Sequence, residues 1–192
     1  PGTADWGPTP RRTPFDLTSD VGLLAGRRTA GTTAVVAALE ASGVRPGEPV
    51  LVTGHSQGGM VAAAVAAEPA VRQRFSITHV VTTGAPVATV PMPDRVHVLS
   101  VEHADDLVPS LDGARNPDRP DWVTVTTEAP PTDDPEPLVA HRQGAYERTA
   151  DAVDRSDDPS VRAWRRSAEP FLGRPGDRVT TQSWSALRVS EP

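Results

Sequence analysis

Hydrophobic residues along the chain follow two patterns. Short runs of apolar and β-branched residues end at Gly, Glu or Thr, which is typical of strands buried on both faces of a sheet. These runs cover residues 50–53, 77–83, 96–101 and 122–126. Other segments place apolar residues every three or four positions or are rich in Ala, which predicts helices. The predicted helices cover 16–41, 60–67, 143–155 and 160–172. Gly43 is predicted to end the first of them.

Two further segments complete the prediction. Residues 128–137 are so rich in Pro and acidic side chains that we expect an exposed loop. Residues 178–189 are rich in Thr, Ser and Val and are predicted to form an edge strand. Buried strands that alternate with helices indicate the α/β class, with a parallel sheet covered by helices on both faces. Such sheets carry their functional sites at the carboxyl ends of the strands.

Composition narrows the choice of function. A chain of 192 residues is long enough for one domain with a single core, and we expect one domain over 1–192. The net charge of −6 comes without a basic block, so we expect no nucleic-acid partner. The absence of Cys excludes disulfides, thiolate catalysis and Cys-based metal sites, and leaves the cellular compartment open. No apolar stretch approaches the length of a membrane span.

The strongest motif lies directly after the first predicted strand. Residues 54–59 read Gly-His-Ser-Gln-Gly-Gly, and an Ala-rich helix is predicted to follow. Small residues on both sides of a serine, between a strand and a helix, are typical of a nucleophile elbow, in which a sharp turn exposes the serine hydroxyl. We therefore predict that Ser56 is a nucleophile.

A serine nucleophile needs a histidine base, and the chain has five candidates. In this arrangement the base follows the last core strand, and only His141 does so. His103 is the rival, because it follows the third strand run. His79 and His97 lie in strand runs and are expected to be packing residues, whereas His55 is expected to shape the elbow.

The base in turn needs a carboxylate to orient it. Asp105 and Asp106 both follow the run 96–101, and their positions alone leave the choice open. One of the two is expected to form or cap a turn instead.

Three motifs together resemble the class 3 lipases of the α/β-hydrolase superfamily. They are the G-H-S-x-G-G pattern at 54–59, the D-x-V-P pattern at 106–109, and the H-x(4)-Y pattern of His141 and Tyr146. Similarity to cutinases is looser. The resemblance implies a three-layer α/β-hydrolase-type fold and favours Asp106 as the acid, with Asp105 as the alternative.

The resemblance extends to the start of the chain. Gly2, Thr3 and Trp6 are similar to the R-G-T and the downstream Trp of those lipases, with Pro1 in place of the Arg. It implies that Thr3 and the backbone N–H of Gln57 form the oxyanion hole. Because the sequence begins at Pro1 without a Met, we expect the N-terminal strands of such a fold to lie outside it. The motifs fall within residues 1–156, and 157–192 is expected to be a C-terminal extension.

The predicted activity is hydrolysis of carboxylic esters through an acyl-enzyme on Ser56, with a small-molecule or lipid ester as substrate. We expect no cofactor and no metal. The same triad also serves thioesterases, acyltransferases and peptidases, because it determines the acyl-enzyme step but not the acceptor. A non-catalytic binding module on the same scaffold is a further alternative, with 157–192 as the surface where a neighbouring domain would dock.

Overall fold

The structure is a computed structural model that describes residues 1–134, 136 and 138–189. Its centre is a single sheet of four parallel strands in the order β1-β2-β3-β4. The strands are β1 (Pro49–His55), β2 (Ser76–Thr83), β3 (His97–His103) and β4 (Trp122–Thr127). All four predicted strands and the parallel sheet are confirmed, but the edge strands β1 and β4 are only partly buried, contrary to the prediction of burial on both faces.

Six α-helices are present in the described residues. They are α1 (Leu17–Leu24), α2 (Ala30–Ala41), α3 (Gln57–Ala67), α4 (Pro69–Arg72), α5 (Gln143–Asp154) and α6 (Pro159–Ser167). Short 3-10 turns occur at Val108–Asp112, Val139–His141 and Glu169–Phe171. No helix among these residues is long and apolar enough to cross a membrane.

Helices cover both faces of the sheet, as predicted. Along β3, Val98 faces the core that β1 and β2 share with α1, α2 and α3, whereas Leu99 and Val101 face α5 and α6. This alternation follows from the two-residue period of a strand, because successive side chains point to opposite faces. A central strand that is apolar on both faces therefore requires a helical layer on each side.

The predicted single helix over 16–41 is wrong, because the chain forms α1 and α2 with a break between them. Gly26 follows α1 with a φ of +67°, a left-handed conformation that a helix interior does not contain. Thr29 then caps α2: its hydroxyl accepts from the backbone N–H of Thr32, and the Thr32 hydroxyl accepts from that of Thr29. Apolar residues recur at three- and four-residue steps on both sides of the break, so their spacing does not reveal where α1 ends and α2 begins.

The predicted edge strand at 178–189 is also wrong. All of these residues are described, and none forms a strand. Residues 184–189 instead run beside the Ala-rich side of α2, where no strand offers a backbone partner. Strand propensity reflects packing within a sheet and has little effect on a segment that lies beside a helix instead.

Smaller differences occur at element ends. Helix α3 begins at Gln57, three residues before the predicted start, and α6 ends at Ser167, after which the chain forms the turn Glu169–Phe171. The described part of the predicted loop, 128–134 and 136, contains neither helix nor strand. Pro135 and Pro137 lie outside the described residues.

Candidate active site

Ser56 occupies the sharp turn between β1 and α3. Its backbone angles are φ 55° and ψ −126°, a region that residues with a side chain rarely adopt. The backbone N–H of Ser56 donates to the carbonyl of Thr83 at 2.9 Å, and its carbonyl accepts from Gly59 N–H at 2.9 Å. Hydrogen bonds to both β2 and α3 thus hold the strained turn. The turn directs the Ser56 side chain toward the carboxyl end of the sheet.

The glycines of the motif are explained by close backbone approaches. A Cβ on Gly54 would overlap the backbone of Gly58, so the strand and the helix that flank Ser56 touch there. A Cβ on Gly58 would lie 2.6 Å from the carbonyl oxygen of Pro1, and one on Gly59 would lie 2.6 Å from Cβ of Ala85. Each position therefore needs a residue without a side chain.

Three side chains from separate loops form a continuous hydrogen-bonded row. Nε2 of His141 lies 2.9 Å from Oγ of Ser56, and Nδ1 of His141 lies 2.7 Å from Oδ2 of Asp106. Asp106 follows β3, and His141 ends the 3-10 turn just before α5. A carboxylate can only accept, so Nδ1 of His141 carries the hydrogen and the lone pair of Nε2 faces the Ser56 hydroxyl.

The carboxylate of Asp106 is fully buried and well supplied with donors. The backbone N–H of Val108 donates to Oδ1 at 2.9 Å, and the Tyr146 hydroxyl donates to Oδ2 at 2.8 Å. Burial raises the pKa of Asp106, but the hydrogen bonds from His141, Val108 and Tyr146 outweigh it and leave the pKa below its usual value. Asp106 is therefore ionised at neutral pH.

Asp105 and His103, the two rival candidates, point elsewhere. Asp105 accepts a hydrogen bond from the backbone N–H of Ala129 at 3.0 Å and so holds the segment that follows β4. The imidazole of His103 is buried, with Nδ1 2.7 Å from the carbonyl of Ala140 and Nε2 2.8 Å from the Thr149 hydroxyl. Both ring nitrogens are thus engaged away from Ser56.

His55 packs beside the row without a hydrogen bond to it. Its ring centroid lies 4.8 Å from that of His141 and 5.5 Å from that of Tyr146. Burial, and then the nearby charge of His141, lower the pKa of His55 to about 4. A neutral His55 ring therefore supports one side of the His141 ring at neutral pH.

His79 and His97 pack against each other on β2 and β3. Their rings stack at 4.9 Å, and the two nitrogens of His79 lie 2.9 Å from the Thr78 hydroxyl and 3.1 Å from the Ser167 hydroxyl. These contacts agree with the packing role predicted for strand histidines. Among the described residues, no group of three or more His, Asp or Glu side chains is arranged to hold a metal ion.

The N-terminal segment lies against the elbow. A Cβ on Gly2 would lie 3.5 Å from Cβ of Ser56, so the chain before Thr3 passes directly beside the nucleophile. The Thr3 hydroxyl donates to Oδ2 of Asp20 at 2.8 Å, and Nε2 of Gln57 donates to Oδ1 of Asp20 at 2.6 Å. One carboxylate on α1 therefore holds the side chains of both predicted oxyanion-hole residues.

Sequence reasoning did not assign a role to four residues of this network. Tyr146 belongs to the H-x(4)-Y pattern that begins at His141, but this pattern does not reveal that the Tyr146 hydroxyl binds Asp106. Asp16 and Asp20 lie at the start of α1, where an Asp followed by Leu-Thr-Ser is a recognisable helix cap. The fourth residue, Arg188, donates to Asp16 from 172 positions further along the chain, so no local pattern indicates this contact.

Comparisons with known proteins identify the type of fold. The family model described as PGAP1-like alpha/beta domain matches residues 34–116, which is less than half of the chain. The matched segment contains Ser56 and Asp106 but neither Thr3 nor His141. No curated protein and no solved structure gives a match. The matched segment and the four-stranded parallel sheet surrounded by helices are consistent with an α/β-hydrolase-like fold.

Proposed function

We propose that the chain is a serine hydrolase that cleaves carboxylic esters through an acyl-enzyme on Ser56. The observation that carries the proposal is the unbroken row Ser56, His141 and Asp106, with hydrogen bonds of 2.9 Å and 2.7 Å. A hydroxyl, an imidazole and a buried carboxylate, hydrogen-bonded in this order, are the three groups of the serine-hydrolase triad.

In the proposed reaction, Nε2 of His141 takes the proton of the Ser56 hydroxyl while Oγ of Ser56 forms a bond to the ester carbonyl carbon. The tetrahedral intermediate collapses when His141 returns the proton to the leaving alcohol. A water molecule then attacks the acyl carbon as His141 takes its proton; the bond to Oγ of Ser56 breaks, His141 returns the proton to that oxygen, and the acid is released. Asp106 keeps the hydrogen on Nδ1 of His141 and stabilises the imidazolium that forms in each step.

The backbone N–H groups of Gln57 and Thr3 are the proposed donors to the oxyanion. Gln57 is the first residue of α3, and the N–H groups of the first helical turn have no acceptor within the helix. The partial positive charge of the helix start also favours a negative oxygen there. The hydroxyl of Thr3 already donates to Asp20, which leaves its backbone N–H as the available donor.

An apolar ester, as in the lipases that the motifs resemble, is the proposed substrate class. Three large apolar side chains near the catalytic loops are exposed: Trp6 by 63%, Leu107 by 73% and Leu138 by 51%. Leu107 follows Asp106, Leu138 precedes His141 by three residues, and Trp6 follows Thr3 by three. Apolar side chains next to a site favour the burial of an apolar acyl chain over an anionic substrate.

The direct test is labelling of the whole chain with a fluorophosphonate probe, followed by hydrolysis of p-nitrophenyl esters of increasing acyl length. We expect one probe per chain, on Ser56, and turnover of esters. Ser56→Ala should abolish both. Labelling of the Ser56→Ala variant, or the absence of labelling in the folded wild-type chain, would contradict the proposal. Faster turnover of matched thioesters or peptides than of esters would move the activity to those classes.

A further inference from the structure

Arg188 binds, from the irregular C-terminal segment, to the start of the first helix. Its Nη2 donates to Oδ1 of Asp16 at 3.2 Å and to the Ser19 hydroxyl at 2.8 Å, and its Nη1 donates to Oδ2 of Asp16. Nη1 also donates to the carbonyl of Arg11 at 3.0 Å. The backbone N–H of Arg188 donates to the carbonyl of Arg12 at 2.7 Å. Residues near both ends of the chain are therefore joined through one guanidinium.

The partner of this guanidinium is a completely buried carboxylate. Asp16 is 0% exposed and is the N-cap of α1, where it accepts from the backbone N–H of Ser19 at 3.0 Å. A buried charge is tolerated only when it is paired and hydrogen-bonded. The two-point contact with Arg188 supplies the opposite charge, so removal of Arg188 leaves Asp16 without it.

Asp16 is linked in turn to the proposed oxyanion donors. Its carbonyl accepts from Nε2 of Gln57 at 2.8 Å. Asp20, one turn further along α1, binds Gln57 and the Thr3 hydroxyl. The backbone of the N-terminal segment is joined to the same region, because Leu17 N–H donates to the carbonyl of Asp5 at 2.9 Å. The first turn of α1 thus holds both Gln57 and the segment that carries Thr3.

We infer that Arg188 is a positioning residue for the oxyanion hole, which acts by holding Asp16 and the first turn of α1 in place beneath Gln57 and Thr3. This inference rests on the proposed function. The segment predicted to dock a neighbouring domain has, at Arg188, a role within the chain itself. Arg188 contacts neither Ser56 nor His141 among the described bonds, so its effect on the reaction is transmitted through Asp16.

The expected effect is on the chemical step. Loss of a whole oxyanion donor lowers kcat by a factor of about 100 to 1,000, and a displaced donor costs less. We therefore expect Arg188→Ala to lower kcat about 10- to 100-fold with little change in KM. Arg188→Lys should be intermediate, since Lys keeps the charge but not the two-point geometry.

The experiment compares wild type, Arg188→Ala, Arg188→Lys and the matched control Arg178→Ala, an exposed arginine of the same segment. Each variant of the whole 192-residue chain is assayed for kcat and KM on one p-nitrophenyl ester, with active sites counted by fluorophosphonate labelling. Affinity for an alkylboronic acid, which forms a tetrahedral anion on a serine, reports the oxyanion hole separately. We expect Arg188→Ala to weaken boronate binding in proportion to kcat, and Arg178→Ala to match wild type.

A lower melting temperature with unchanged kcat per labelled site and unchanged boronate affinity would overturn the inference, because it would reduce Arg188 to a structural clamp. If Arg188→Ala does not fold, as judged by circular dichroism, the same readouts on Arg188→Lys and Arg188→Gln decide the question. A folded wild-type chain that neither reacts with the probe nor cleaves esters would instead overturn the proposed function, and this inference with it. Active wild type with fully active Arg188 variants would overturn the inference alone.

Discussion

The hydroxyl of Tyr146 donates to Oδ2 of Asp106 at 2.8 Å, and this is the oxygen that His141 also binds. The ring of Tyr146 stacks on that of His103 with centroids 3.9 Å apart, and its oxygen accepts from the His103 backbone N–H at 3.2 Å. Burial, and then the carboxylate of Asp106, raise the pKa of Tyr146, so the phenol keeps its proton and remains a donor. Tyr146 is thus a permanent support for the buried carboxylate.

Tyr146→Phe should weaken this support without disturbing the stack of rings. Asp106 loses one of its three donors, so its pKa should rise and His141 should be held less firmly. We expect kcat for ester hydrolysis to fall about tenfold and the free energy of unfolding to fall by about 1–3 kcal/mol. Kinetics and urea denaturation measure the two effects. An unchanged kcat would show that the phenol has no influence on the row.

The two neighbouring aspartates should differ sharply. Asp106→Asn removes the negative acceptor of Nδ1 of His141 and allows the unproductive tautomer, so kcat should fall by a factor of about 1,000 to 10,000. Asp105→Asn is the matched control, because Asp105 binds only the backbone of Ala129 among its described hydrogen bonds. We expect it to retain nearly full kcat. A comparable loss in both variants, or a larger loss in Asp105→Asn, would contradict the assignment of Asp106.

Stability should fall on acidification through His79. Burial, and then the charge of His97, lower the pKa of His79 to about 4 from its ordinary value of 6.5. Between these two values the unfolded chain binds a proton that the folded chain does not, so the free energy of unfolding decreases as the pH falls from 6.5 to 4. The groups that face His79 are Thr78, Ser167, His97, Trp164 and Phe171.

His79→Gln removes this titration and should make the melting temperature less dependent on pH between 6.5 and 4. The measurement is a series of thermal melts of wild type and variant across that range. His55, whose pKa is also lowered to about 4, should contribute a slope in the same window and should leave the variant with a residual one. Parallel curves for wild type and His79→Gln would contradict the prediction.

Glycine substitutions should separate the elbow from ordinary helix. Gly54→Ala places a methyl group onto the backbone of Gly58, which cannot yield without moving the start of α3. We expect a loss of at least about 3 kcal/mol in the free energy of unfolding, or no folded protein. Gly144→Ala in α5 is the control, because the nearest atom to the new Cβ is the side chain of Arg148 at 4.0 Å. It should stabilise the chain by up to about 1 kcal/mol.

Chemical denaturation of the two variants beside wild type measures both effects. A Gly54→Ala variant as stable as Gly144→Ala would show that the close approach of β1 and α3 is not required.

The sequence by itself determined the elements whose cause is local. Short apolar and β-branched runs such as 50–53 indicate strands, and the small residues around Ser56 indicate a tight turn because neighbouring backbones must touch there. The break between α1 and α2 also has local causes, in Gly26 and the Thr29 cap, but the apolar period that runs through it is the stronger pattern.

Tertiary structure decided the contacts between distant residues. Asp105 and Asp106 are chemically identical neighbours, and only the path of the chain after β3 directs one toward His141 and the other toward Ala129. Residues 178–189 have strand-forming composition but lie beside α2 and Asp16 and not along an edge of the sheet, so their structure depends on those contacts. The bond between Arg188 and Asp16 forms because the fold brings these distant residues together, and the buried carboxylate of Asp16 needs an opposite charge. No pattern of neighbouring residues in the sequence indicates this pairing.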